Sequence, residues 1–134
     1  MSFTDTFRLS CHAVIPNKNN CVLQLKQTYG DLSWGLPGGS INPGETIHET
    51  LHRECIEELG TDVDIINLTG VYFHSKFNAQ VFIFLCHLKD ETAIRLSDEH
   101  SEYSYFAVDK LSEVQRIRVL DALHYNGSVI SRKF

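Results

Sequence analysis

From Phe7 to Ile15, β-branched and aromatic residues crowd together, and the run stops in Pro16-Asn17-Lys18-Asn19-Asn20, a cluster of turn formers. Alternation follows from Cys21 to Lys26, with Cys21, Leu23 and Leu25 on one side and Val22, Gln24 and Lys26 on the other. The pair reads as a hairpin of two strands around a five-residue loop. Residues 34–44 hold much of the chain's glycine and proline and predict a shaped loop. The period then turns helical from Glu45 to Leu59, and Gly60 is a good stop. Val63–His74 and Ala79–Leu88 read as strands, the second with an apolar centre at Val81–Leu85. Tyr103–Val108 predicts a shorter strand. Asp109 is the expected N-cap of a last helix running to about His124, with Val114, Ile117 and Leu120 on its apolar face. Strands, helix, strands, helix: the order predicts an α/β sandwich with a mixed sheet.

At 134 residues the chain is expected to be a single domain, 1–134. A chain this long buries about two-thirds of its unfolded surface, enough to fold without metal or disulfide. Its composition, 43% hydrophobic and 22% charged, excludes disorder and coiled coil. The longest apolar run, Val81–Cys86, is too short to cross a bilayer, and residues 1–10 lack the pattern of a secretory signal. A cytoplasmic protein without membrane association is expected. The net charge is −5 and the bases are scattered, which argues against a nucleic-acid polymer as partner. Cys11, Cys21, Cys55 and Cys86 form no C-x-x-C pair and read as reduced, buried thiols, and the seven histidines show no zinc spacing.

The informative charges lie on the first helix. Glu54 and Glu58 are four residues apart and Glu57 is three from Glu54, so the three carboxylates share one side. At about 100° per residue, Glu54 and Glu58 fall beside Ile47 and Leu51, at the edge of the apolar stripe rather than opposite it. Like charges about 6 Å apart repel unless something positive lies between them. Clustered oxygen donors suit Mg²⁺, with Mn²⁺ as a substitute. The preceding Gly38-Gly39 allows close backbone approach, yet it is neither a Walker loop nor an EF-hand.

Gly39, Glu45 and the run Arg53-Glu54-Cys55-Ile56-Glu57-Glu58-Leu59-Gly60-Thr61 match the pattern G-x5-E-x7-R-E-U-x-E-E-x-G-U at every fixed letter. Only Thr61 departs mildly, from a bulky aliphatic preference. On these residues, and on the lead-in Trp34–Gly39, the chain resembles the Nudix hydrolases. The resemblance implies a Nudix-type α/β/α sandwich with a mixed β-sheet and the box as loop–helix–loop. It also implies metal-dependent cleavage of a diphosphate linkage in a nucleoside diphosphate joined to X. By position, Glu57 and Glu58 would be primary metal ligands, Glu54 a ligand or water-activating base, and the Gly39 carbonyl a further ligand. Arg53 would orient the carboxylates, Glu45 would hold Arg53, and Gly60 would close the box.

Many family members add a carboxylate from a facing loop, and Asp98–Tyr105 resembles that loop, with Glu99 first choice and Glu102 second; Tyr105 stands where a tryptophan is usual. Lys26 lies where relatives often place a base against substrate phosphate, with a plain surface lysine as the alternative. Trp34, Tyr72, Phe73, Phe77 and Phe106 could stack a nucleobase or simply pack the core. Markers of ADP-ribose pyrophosphatases and of many diadenosine polyphosphate hydrolases are missing downstream of the box. Small size and a MutT-like layout favour a (d)NTP or modified (d)NTP giving NMP and pyrophosphate. Dinucleoside polyphosphates, nucleotide sugars and a non-catalytic nucleotide-binding domain stay open, as does a homodimer.

Overall fold

A computed structural model describes residues 2–134. Its centre is a five-stranded mixed sheet in the order β4 (Gly38–Ser40), β1 (Arg8–Val14), β6 (Ala79–Leu88), β5 (Val63–His74), β8 (Ile130–Lys133). β1 runs parallel to β6 and β8 parallel to β5, and the other pairs are antiparallel. A smaller antiparallel sheet joins β3 (Trp34–Gly35), β2 (Val22–Gln27) and β7 (His100–Phe106). Helix α1 (Ile47–Leu59) and helix α2 (Glu113–Leu123) close on separate cores. One gathers Cys11, Ala13, Phe84 and Cys86 with Leu51, Cys55 and Leu59 of α1; the other gathers Val14, Tyr72, Val81 and Ile83 with Val119 and Ala122 of α2. Strand alternation sends neighbours such as Ala13 and Val14 to opposite cores. The outcome is the expected α/β/α sandwich.

Several expected details are corrected. The first two strands are not a hairpin: β1 joins the large sheet and β2 the small one. Their backbones hydrogen-bond only around the turn, where Cys21 O accepts from Asn17 N at 2.8 Å and Ile15 O from Leu23 N at 3.0 Å. Pro16 offers no N–H to extend a ladder, and β2 goes on to feed both cores, Val22 one and Leu23 the other. The glycine-rich stretch contains the two short strands β3 and β4, and β8 carried no expectation at all. All four cysteines are free, three of them buried and Cys21 half-buried.

Helix α1 begins at Ile47 rather than Glu45, because Thr46 is its N-cap. The Thr46 side chain accepts from Glu49 N and the Glu49 carboxylate from Thr46 N, a reciprocal capping box. Gly60 ends the helix in the left-handed region, φ +69°. The second helix is capped by Ser112, and Asp109 sits in a separate 3₁₀ turn, Val108–Lys110. Its buried face also differs from the expected one: Arg118, Val119 and Ala122 go inside, while Val114, Ile117 and Leu120 are half-buried.

Candidate active site

The strand–turn–helix from Gly38 to Gly60 is tied together by one guanidinium. Arg53 Nε donates to Glu45 Oε2 at 2.6 Å, and Nη2 to Glu45 Oε1 and the Ser40 carbonyl, both at 3.0 Å. Nη1 donates to Glu54 Oε1 at 2.9 Å and reaches Glu57 Oε2 at 3.4 Å. Such a fork fixes direction as well as charge. Glu45 is itself held by Asn42 N and Thr50 Oγ1, and the Arg53 hydrogen bond, foremost, keeps its carboxyl down at about 2. Arg53 is correspondingly held further into its charged form.

Glu54 projects from α1 over the glycine turn. A Cβ on Gly39 would stand 2.5 Å from the Glu54 carboxyl carbon, so the bare glycine is what gives that carboxylate its place. Burial, opposed by Arg53 and reinforced by Glu57 and Glu99, raises the Glu54 pKa. Glu58 is buried, its Oε2 accepting from Gly38 N at 2.8 Å and its Oε1 3.9 Å from His100 Nε2. Burial, then the charges of Glu54, Glu99 and Glu57, outweighs the Gly38 bond and pushes the Glu58 carboxyl up to about 8. Glu57 is the solvent-facing member, its side chain 58% exposed.

A cleft of about 380 Å³ opens beside these groups, lined among others by Gly38, Gly39, Glu58, His100, His12 and Trp34. Of the three helix carboxylates beside it, Glu58 is buried, Glu54 half-buried and Glu57 exposed, and Arg53 contacts Glu54 and Glu57. Among the described residues no three His, Cys, Asp or Glu side chains already stand as a metal-ligand set. The donor chemistry nonetheless fits a hard divalent cation, since the donors are carboxyl oxygens, clustered on one helix and short of positive partners.

Outside the box the structure sorts the candidates. Glu99 is exposed in the turn before β7 and close enough to act electrostatically on Glu54 and Glu58. Glu102 instead faces Lys26 across β2 and β7, 3.5 Å from its Nζ. Alternation turns both away from Leu25, which lines the cleft. Tyr72 is buried with its hydroxyl donating to Asp121, and Trp34 tilts against Phe106 at a centroid distance of 4.9 Å. Two cleft histidines carried no role in the sequence reading. His12 Nδ1 donates to the Leu36 carbonyl at 3.3 Å, and desolvation followed by Arg118 lowers its pKa to about 4. His100 is buried, its Nδ1 has no partner among the described residues, and burial lowers its pKa. Its only sequence signal was adjacency to Glu99.

Residues 6–124 match the family model described as NUDIX domain. A "MutT-like protein" of Streptomyces ambofaciens is 36% identical over 100 residues, covering 71% of this chain and 64% of that protein. The asymmetrical bis(5'-nucleosyl)-tetraphosphatase of Rattus norvegicus is 30% identical over 124 residues, covering 85% of this chain and 84% of that protein. Among solved structures, the MutT protein of Methanosarcina mazei superposes with a TM-score of 0.74 at 25% identity, covering 95% of this chain and all of its own. The chain therefore spans a little under two-thirds of the Streptomyces relative and most of the other two.

Proposed function

The chain belongs to the Nudix family of pyrophosphohydrolases, and on that premise we propose that it is a Mg²⁺-dependent enzyme cutting a (d)NTP or modified (d)NTP to NMP and pyrophosphate. The observation that carries the metal requirement is a set of mutually repelling carboxylates, Glu54, Glu57, Glu58 and Glu99, of which Arg53 contacts only Glu54 and Glu57, with Glu58 pushed up to about 8 by burial and by the other three. An anionic substrate needs that field inverted. Glu57, Glu58, Glu54 and the Gly39 carbonyl would hold the ion. When bound, the ion neutralises diphosphate charge and acidifies water.

The chain's own groups supply orientation and proton transfer. Arg53, braced by Glu45 and the Ser40 carbonyl, holds Glu54 in one rotamer above Gly39. Partial burial raises the proton affinity of Glu54, which suits it to accept the proton of an attacking water; Glu99, in the facing turn, is the alternative base. Lys26 is paired with Glu102 and is assigned no step. The triphosphate reading rests on the small, MutT-like layout of the chain, and relatives named MutT are consistent with that layout. The rat enzyme's name, with its long alignment, favours a dinucleoside polyphosphate as the second reading. Action on a small nucleotide in the cytoplasm completes the proposal.

³¹P NMR of the products from canonical and oxidised (d)NTPs, diadenosine polyphosphates, ADP-ribose and nucleotide sugars, with Mg²⁺, tests it. NMP with pyrophosphate from a triphosphate is the expected result. Cleavage of a dinucleotide or sugar nucleotide alone overturns the substrate, and intact nucleotides throughout, with binding retained, establish the non-catalytic domain instead.

A further inference from the structure

Arg53 on the first helix has five oxygen contacts; Arg118, one of two arginines on the second helix, pairs with no carboxylate among the described residues. Arg118 is only 7% exposed. Its Nη2 donates to Gln115 Oε1 at 2.6 Å and its Nη1 to His74 Nε2 at 3.3 Å, and its Nε has no acceptor among the described residues. Both partners are neutral, His74 being held below its ordinary pKa by burial and by Arg118 itself. A buried guanidinium without a counter-ion is costly and is normally paired.

Arg118 lines a cavity of about 290 Å³ together with Arg8, Ser10, Ser40, His74 and the exposed ring of Phe77, and no acid contributes to its wall. In a chain of net charge −5 that is an isolated cationic recess. Its position matters as much as its charge. Ser10 and Ser40 face one another across β1 and β4 and belong to the walls of both this recess and the main cleft. The Ser40 carbonyl also accepts from Arg53. The recess therefore opens beside the carboxylate corner, on the other side of the β4 edge.

We propose that this recess is an anion subsite that takes phosphate groups of the substrate lying beyond the cleaved linkage, with Arg118 and Arg8 as its binding residues. The assignment rests on the reaction read above. It favours nucleotides with three or more phosphates over nucleoside diphosphate sugars, whose charge ends at the scissile diphosphate. Desolvation strengthens each charge-assisted bond made to Arg118, and its remaining Nη hydrogens are the donors an oxyanion would use.

Titration calorimetry with inorganic tripolyphosphate, in EDTA, tests the subsite without turnover, because without a divalent cation the carboxylate corner repels anions. Wild type is expected to show one saturable site. Arg118→Met is expected to weaken it about tenfold or more, and Arg8→Gln to weaken it less. The urea midpoint of Arg118→Met should equal or exceed that of wild type, because an unpaired buried charge has been removed; a purely structural arginine would lower the midpoint and leave affinity alone. No saturable binding to wild type, or affinity unchanged by the substitutions, overturns the subsite. If Arg118→Met does not fold, unchanged affinity in the exposed Arg8→Gln variant overturns it. Tripolyphosphate binding without hydrolysis of any nucleotide would remove the reaction and keep the subsite; hydrolysis without such binding would do the reverse.

Discussion

Glu58 links the stability of the fold to its chemistry. Its carboxyl rises from an ordinary 4.5 to about 8 because it is buried and faces Glu54, Glu99 and Glu57. Between those two pH values the folded protein holds a proton that the unfolded chain has released. Stability from this group is therefore complete below pH 4.5 and declines as pH rises to about 8, by about 1.4 kcal/mol for each pH unit. The full decline is about 5 kcal/mol, comparable with the whole stability of many small domains. Glu58→Gln keeps the shape and an amide oxygen to accept from Gly38 N, and it removes the titration. Urea unfolding in EDTA, followed by the fluorescence of Trp34, the single tryptophan, reads the effect from pH 4.5 to 8.5. The two proteins should be nearly equal at the acid end, and the variant should be several kcal/mol more stable at the alkaline end. Adding Mg²⁺ at pH 8.5 should narrow that gap by stabilising wild type. A difference that stays constant across the range would refute the idea that Glu58 is a desolvated carboxylate short of a cation.

Gly39→Ala places a methyl group against the Glu54 carboxyl rather than against backbone; turnover should fall about tenfold or more through misplacement of Glu54, while the urea midpoint barely moves. Arg53→Lys keeps a positive charge but loses the fork to Glu45, Glu54 and the Ser40 carbonyl. Steady-state kinetics should show a loss of about 10–100-fold, with the far-UV spectrum unchanged. Thr46→Ala removes the capping box, and denaturation should report a loss of about 1 kcal/mol with kcat retained.

What the sequence disclosed and what it hid follow the range of the interactions involved. The box helix was legible because its period, its glycine stop and its carboxylate spacing are all local. β5 and β6 were legible because long β-branched and aromatic runs leave little choice. β8 was not, because Ile130–Lys133 is short and mostly polar, and only the parallel neighbour β5 makes it a strand. β3 and β4 were hidden inside a glycine-rich stretch whose extended backbone is imposed by β2 and β1. The face of α2 was misjudged because an apolar stripe gives no reason to bury an arginine; Arg118 goes inside through His74 and Gln115, partners invisible to periodicity. At the site, Arg53 bracing Glu45 follows the resemblance, whereas the reach of Glu99 toward Glu58 and the place of His12 in the cleft depend on how the two sheets meet.

The most direct measurement is of metal and turnover together: Mn²⁺ binding by electron paramagnetic resonance, and Mg²⁺-dependent release of pyrophosphate from a nucleoside triphosphate, for wild type and Glu57→Gln. Weaker Mn²⁺ binding in the variant, a fall in turnover of about 10²-fold or more, and an unchanged urea midpoint are the expected results. Near-wild-type turnover in Glu57→Gln, or hydrolysis by wild type that persists in EDTA, would contradict the assignment of the box carboxylates to a divalent ion.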